Sequence, residues 1–309
     1  ISYIVIKEDK QMGRWNIRWS ILLVLWCVTG VKLAAMKVES LDRGWFFNRG
    51  YESQAADKVT VDLPHTWNAA DAMFGNVNYY RGMSTYSRFI VVPSSENFKR
   101  VFLRVKAAQT VADVYLDNHF VAQHKGGYTS FTVELTHLIR RGEKQKLDIR
   151  VSNAQTMEIA PICGDFNIWG GLNRGVELLY TDDACIDPTF YGSSGVFFTQ
   201  YNVSEKYAGL EMKALLSGTE MALNDCSIEF SLLDAKHKVV WCKETSVSGK
   251  EALVKMELNN PHLWDGVNDP YLYTGVVVLK RGGKEIDRRE EHVGFRFYSA
   301  DPDKGFFLN

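Results

Sequence analysis

The sequence predicts an all-β protein made of two β-sandwiches in series. Three observations predict it. Short segments with strict period-two alternation follow one another along most of the 309 residues. Pairs such as Asp-Asn, Gly-Gly and Arg-Gly punctuate them at turn spacing. No long segment has the 3.6-residue apolar period of an amphipathic helix.

The first string of strands runs VTVDL (Val59–Leu63), TYSRFIVV (Thr85–Val92), RVFLRVKA (Arg100–Ala107), VADVYLD (Val111–Asp117), YTSFTVEL (Tyr128–Leu135), KLDIRVSN (Lys146–Asn153) and VELLY (Val176–Tyr180). THLIR (Thr136–Arg140) is expected to form one helical turn capped by Thr136. Past Asp182 the pattern restarts. GVFFTQYNV, YAGLEMKALLSG, CSIEFSLLD, KVVWCKETSV, EALVKMEL and YLYTGVVVLKRGG make a second string between Gly195 and Gly283, with DAKHK (Asp234–Lys238) as a hairpin turn. Its size and spacing are those of an immunoglobulin-like sandwich of roughly 100 residues. The tail, GFRFYSADPDKGFFLN (Gly294–Asn309), contains a turn at Asp301–Gly305. FFLN then opens an apolar strand for which the sequence offers no later neighbour.

The amino-terminal stretch differs in character. Arg14 and Arg18 precede an apolar run, Ile21–Val31, and small residues follow near Ala35. This is the layout of a secretory signal, and export is the expected destination. The run is shorter than the about 20 residues that span a bilayer. The expected divisions are therefore 1–35 for upstream residues and signal, 36–181 and 182–297 for the two sandwiches, and 298–309 for the start of a further element.

Net charge is −1, with acids and bases interspersed, so no basic face invites nucleic acid. The five cysteines form no C-x-x-C and no metal spacing with histidine, so buried thiols are expected. Cys226 and Cys242 flank an expected hairpin, and their pairing stays open. No nucleophile elbow, phosphate loop, dinucleotide fingerprint or H-E-x-x-H is present.

One loop concentrates unusual chemistry: CGDFNIWGGLNR, Cys163–Arg174. Asp165 can accept from two hydroxyls at once, Trp169 can cover an apolar sugar face, and Gly170 and Gly171 permit close backbone approach. The alternative is a folded turn in which Asp165 caps or pairs with Arg174. Arg174 is expected to hold the loop's own carbonyls or an acid. Asn76 and Asn78 lie in MFGNVNYYRG, a loop that either approaches the same ligand or simply turns. Trp67 and Trp264 are expected to be packing anchors.

Several stretches stand in one order: LPHTWN (Leu63–Asn68), YYRGMSTYSRFI (Tyr79–Ile90), the DFNIWGGLNR segment, YGSSGVF (Tyr191–Phe197), NPHLWDGVNDPYLYT (Asn260–Thr274) and the Gly294–Asn309 tail. Together they resemble the amino-terminal half of a family 2 glycoside hydrolase of the β-galactosidase and β-glucuronidase type, over about residues 42–309. The resemblance implies a jelly-roll sugar-binding domain, an immunoglobulin-like domain and then a TIM barrel holding two catalytic glutamates. It implies hydrolysis with retention, β-galactosides as favoured substrates, and Asp165, Trp169 and Asn76 as substrate-binding residues. No catalytic residue is expected within these residues: the family's acid/base glutamate follows an asparagine, and no Asn-Glu dipeptide occurs here. The expected partners are a carbohydrate and the chain's own barrel, with oligomerisation allowed and no nucleic acid. No cofactor is expected on these residues; a cation, if any, belongs to the barrel. Phe295 and Arg296 are expected to fasten the second sandwich to that barrel. A stand-alone exported carbohydrate-binding protein is the competing expectation.

Overall fold

The structure, a computed structural model, describes residues 36–50, 59–71, 73, 80–95, 97–160 and 168–309. The expected leader and the candidates Asn76, Asn78 and Asp165 lie outside these residues.

The first sandwich contains β1 (Lys37–Ser40), β2 (Trp45–Arg49), β3 (Val59–Val61), β4 (Met83–Val91), β5 (Arg100–Val105), β6 (Val111–Leu116), β7 (His119–Lys125), β8 (Phe131–Glu134), β9 (Lys144–Ser152) and β10 (Val176–Thr181). They form a six-stranded sheet, β3-β2-β4-β9-β6-β7, and a four-stranded sheet, β1-β10-β5-β8. Alternation does the sorting: in β6 every second residue (Ala112, Val114, Leu116) is buried. Trp45, Tyr86, Leu103, Leu147 and Ile149 are fully enclosed between the sheets. Trp45 satisfies its indole N–H on the Leu41 carbonyl at 2.6 Å.

Strand β10 departs from alternation, being buried at all six positions. Its inner face enters the first core. On its outer face Leu179 packs with Phe102, Cys185 and Met36, where the second sandwich begins. Burial pushes the Cys185 thiol up to about 12, consistent with an inert buried cysteine. Arg100 crosses the same junction, donating to Glu134 at 2.7 Å and to Ser217 Oγ at 3.0 Å.

The second sandwich comprises β11 (Cys185–Ile186), β12 (Val196–Tyr201), β13 (Tyr207–Ser217), α1 (Glu220–Asn224), β14 (Cys226–Leu233), β15 (Val239–Ser246), β16 (Glu251–Asn259), β17 (Tyr273–Arg281) and β18 (Lys284–Val293). In one sheet β13 pairs β16, β12 and β11; the other runs β15-β14-β17-β18. Phe230, Ile228, Leu210, Met212 and Val277 fill the space between. The DAKHK turn forms as expected, with Asp234 Oδ1 accepting from the N–H groups of Lys236 and Lys238, both at 2.9 Å. Finally β19 (Tyr298–Asp301) and β20 (Gly305–Leu308) make a two-stranded hairpin.

Four expectations need correction. FFLN does have a neighbour, because β20 folds back on β19 and Phe306 stacks on Tyr298 at 5.7 Å. Thr136 caps no helix. The expected turn forms, with Ile139 N–H donating to Leu135 O at 3.1 Å, but Thr136 Oγ1 accepts from Val101 N–H at 3.0 Å and donates to Glu134 at 2.7 Å, tying the turn to β5 instead of capping it. Phe295 faces inward, fully buried and edge-on to Tyr273, so it belongs to the second core; Arg296 lies over Trp264. Cys226 is buried and Cys242 exposed, each a free thiol, and Cys242 stands opposite Ser231 instead. Arg174 is exposed, and most of the loop it is expected to hold, residues 163–167, lies outside the described residues.

Candidate functional site

The site is built where LPHTWN meets IWGGLN. His65 N–H donates to Leu172 O at 2.9 Å, Trp67 N–H to Gly170 O at 3.2 Å, and Gln109 N–H to Gly171 O at 3.0 Å. The loop is thus zipped to two others, and its glycines are what permit it. A Cβ on Gly170 would stand 2.0 Å from the Trp67 ring, and one on Gly171, at φ +135°, 2.4 Å from the His65 carbonyl. The close approach expected of these glycines is therefore made to the protein's own core. Trp67 is the packing anchor expected, stacked on Phe47 at 6.1 Å.

Two buried amides hold the loop from beneath. Asn68 accepts from Gly170 N–H at 2.9 Å and donates to Ile168 O at 3.0 Å. Asn153 donates to Ile168 O at 2.9 Å and to Tyr80 O at 3.1 Å. Ile168 and Tyr80 directly follow the segments that carry Asp165 and Asn76, so one side chain joins the ends of both. Neither asparagine was singled out from sequence. The available signal was their place at the end of LPHTWN and of a strand, which does not separate a buried hub from a turn residue.

With its neighbours buried, Trp169 emerges 46% exposed. Together with Pro64, His65, Thr66 and Asn173 it lines a shallow cleft of about 350 Å³. His65 supplies an oriented polar group. Its Nδ1 lies 2.7 Å from the Tyr86 hydroxyl. Burial pushes the Tyr86 phenol far above its ordinary value, so the hydroxyl keeps its proton, and His65 Nδ1 is its hydrogen-bond partner. The phenolic proton therefore goes to His65 Nδ1, which assigns the imidazole proton to Nε2. Burial also lowers the His65 pKa, keeping the ring neutral. Asn173 donates to Gln109 Oε1 at 3.3 Å, while its own Oδ1 is buried with no partner among the described residues.

The cleft thus offers an indole face and a proline beside a neutral imidazole, a hydroxyl and an amide. That pairing of apolar wall and small polar groups suits a pyranose, which has one apolar face and a rim of hydroxyls. No group of three or more histidine, cysteine, aspartate or glutamate side chains fit to hold a metal ion occurs among the described residues.

Comparison with known proteins follows the same two-domain division. A family model described as "Glycosyl hydrolases family 2, sugar binding domain" matches residues 45–182, and "Glycosyl hydrolases family 2" matches 195–296. A β-glucuronidase of Bacteroides fragilis is 38% identical over 275 residues, covering 87% of this chain and 39% of the relative. A β-galactosidase of Bacteroides ovatus is 27% identical over 308 residues, covering 92% and 34%. The crystal structure of a Bacteroides uniformis β-glucuronidase is similar at a TM-score of 0.78 and 27% identity, over 89% of this chain and 34% of that one. The chain spans about a third to two fifths of the length of these relatives.

Proposed function

The chain belongs to glycosyl hydrolase family 2, and on that premise we propose that its two sandwiches are the non-catalytic, sugar-facing part of a retaining glycosidase. The observation that carries this is the Trp169 cleft, an exposed indole fixed by buried hydrogen bonds beside a neutral, oriented His65. In this reading the chain positions sugar while chemistry is done elsewhere. Retaining hydrolysis needs two carboxyl groups about 5–5.5 Å apart, one protonating the leaving oxygen and one attacking the anomeric carbon. The catalytic pair is placed in a barrel outside these residues. Within the chain, Trp169 stacks on the sugar, and His65 Nε2–H donates to a hydroxyl. Asp165 and Asn76 keep the roles that the sequence suggests, Asp165 accepting from hydroxyls and Asn76 bonding the same sugar.

Two observations favour a β-glucuronide over the β-galactoside suggested by the sequence. The relative at 38% identity is named a β-glucuronidase. Arg174, next to the cleft residue Asn173, is exposed, and in this reading its guanidinium takes the sugar carboxylate. The β-galactoside remains the second reading, supported by the Bacteroides ovatus relative. Export through the Ile21–Val31 leader is part of the proposal, and amino-terminal mass spectrometry of the exported protein tests it by a start near residue 36.

The deciding experiment compares 4-nitrophenyl β-glucuronide with the β-galactoside, using the gene product that contains this chain and its Trp169→Ala variant. Faster glucuronide turnover, with KM raised about tenfold by the substitution, is expected. Galactoside preference selects the second reading. Sugar binding with no hydrolysis selects a stand-alone binding protein, and unchanged kinetics in the variant remove the cleft from the site.

A further inference from the structure

A second cleft, of about 450 Å³, opens where the first sandwich meets the second. One wall is the stretch around Gln123, Thr129 and Ser130; the other is the turn Asp187–Gly192. That turn begins the YGSSG motif, which the Trp169 cleft leaves unexplained.

The turn is locked. A Cβ on Gly192, at φ +68°, would stand 2.2 Å from the Ser130 carbonyl oxygen, so only glycine packs there. Ser130 Oγ donates to Gly192 O at 3.0 Å, and the N–H and Oγ of Ser193 both donate to Phe190 O, at 2.9 and 2.7 Å. Between these fixed points Tyr191 is held at φ +46°, a left-handed conformation that bulky residues seldom adopt. Its ring is nonetheless 88% exposed. Phe190 meets it edge-on at 4.9 Å and in turn rests edge-on against Phe197 at 5.8 Å. A large ring held in water by a strained, clamped backbone is a binding face whose ordering cost is met before any ligand arrives.

Two of the polar groups around it, Asp187 and Gln123, keep an acceptor oxygen without a hydrogen bond among the described residues. Asp187 uses Oδ1 for the N–H and hydroxyl of Thr189, at 2.8 and 2.7 Å, which leaves Oδ2 open. Gln123, itself exposed, gives its Nε2 to Asp113 at 2.8 Å, and its Oε1 has no hydrogen bond among the described residues. Open acceptors beside an aromatic face suit a polyhydroxylated ring, and the Asp187 carboxylate disfavours an anionic one.

We infer that this junction cleft is a second glycan site, taking a neutral hexosyl unit stacked on Tyr191 with Asp187 and Gln123 accepting from its hydroxyls. The site stands apart from the Trp169 cleft and asks nothing of Asp165 or Asn76. It gives the protein a hold on the neutral body of a longer glycan.

The test uses the full 309-residue chain carrying Trp169→Ala, so that the first cleft does not contribute, and titrates it calorimetrically with galactotetraose. Binding at one site per chain is expected. Adding Tyr191→Ala weakens it by at least about tenfold, because the exposed ring is the central anchor. Adding Asp187→Asn instead weakens it less, and neither changes the melting temperature. Absence of galactotetraose binding, or equal affinity with and without Tyr191, overturns the inference. Equal affinity for trigalacturonate overturns the assignment to neutral sugars. None of these outcomes bears on the Trp169 cleft, which is already disabled in this background.

Discussion

Asn68 Oδ1 accepts the backbone N–H of Gly170 at 2.9 Å across 102 residues of sequence, and both groups are buried. The same asparagine donates to Ile168 O, so one amide fixes the backbone on both sides of Trp169. Asn68→Ala leaves Gly170 N–H unpaired and removes one of two donors from Ile168 O. A loss of about 1–3 kcal/mol is expected in chemical denaturation, with a shift in tryptophan emission as the rim loosens. Unchanged stability would show that water replaces the amide.

Gly170→Ala tests the packing beneath that bond. Its Cβ would stand 2.0 Å from Trp67, which is 6% exposed and stacked on Phe47. Two rings would have to move. Overpacking of this kind costs about 1–3 kcal/mol, read as a lowered melting temperature, and sugar binding should fall with it.

Acid stability should depend on two histidines. Burial holds both His65 and His124 below their ordinary value of 6.5. The unfolded chain therefore takes up these protons more readily than the folded one. Their contribution is fully present above about pH 6.5 and declines as pH falls below it. Glu134, lowered by its hydrogen bond from Arg100, acts in a separate window below its ordinary value of 4.5. Melting temperature should fall between about pH 6.5 and 5, and His65→Gln with His124→Gln should flatten that slope. An unchanged slope in the double variant assigns the acid loss to other groups.

The largest single loss is expected inside the second sandwich, where β18 meets β11. Asp287 is fully buried and ion-paired with Arg289, and it accepts Ile186 N–H at 2.8 Å. Arg289 donates to Ser194 O at 3.1 Å and Ile186 O at 3.3 Å. Asp287→Ala strands a guanidinium and should cost about 3–5 kcal/mol. Replacing both residues together, Asp287→Leu with Arg289→Met, should cost less than the single change, because no charge is left buried and unpaired.

Asp165→Ala tests the candidate that rests on sequence alone. It should weaken glycoside binding and turnover in the gene product while leaving the melting temperature unchanged. Unchanged kinetics would take Asp165 out of the site.

Most of the strand order was legible, because alternation and turn residues are local signals. Strands with charged faces escaped: β18, KEIDRREEHV, carries its apolar residues irregularly. The partner of β20 is β19, the strand just before it, and the exposed, irregular Tyr298–Asp301 stretch carries no alternation that marks it. At the site, Trp169 and the two glycines stood out as residue types, but their reason did not. The glycines answer to Trp67 and His65, about a hundred residues away, and such contacts have no local signature. The orientation of His65 rests on Tyr86, 21 residues on, a contact with no local signature either. Asn68 and Asn153 were invisible for the same reason: a buried amide hub and a turn asparagine read alike.

A crystal of this chain soaked with a β-glucuronide tests the central claim most directly. The account predicts a pyranose lying against the Trp169 indole, with His65 Nε2 and Asn173 within hydrogen-bonding distance of its hydroxyls. A sugar bound only at the Tyr191 cleft, or the Trp169 face left bare at saturating ligand, would contradict it.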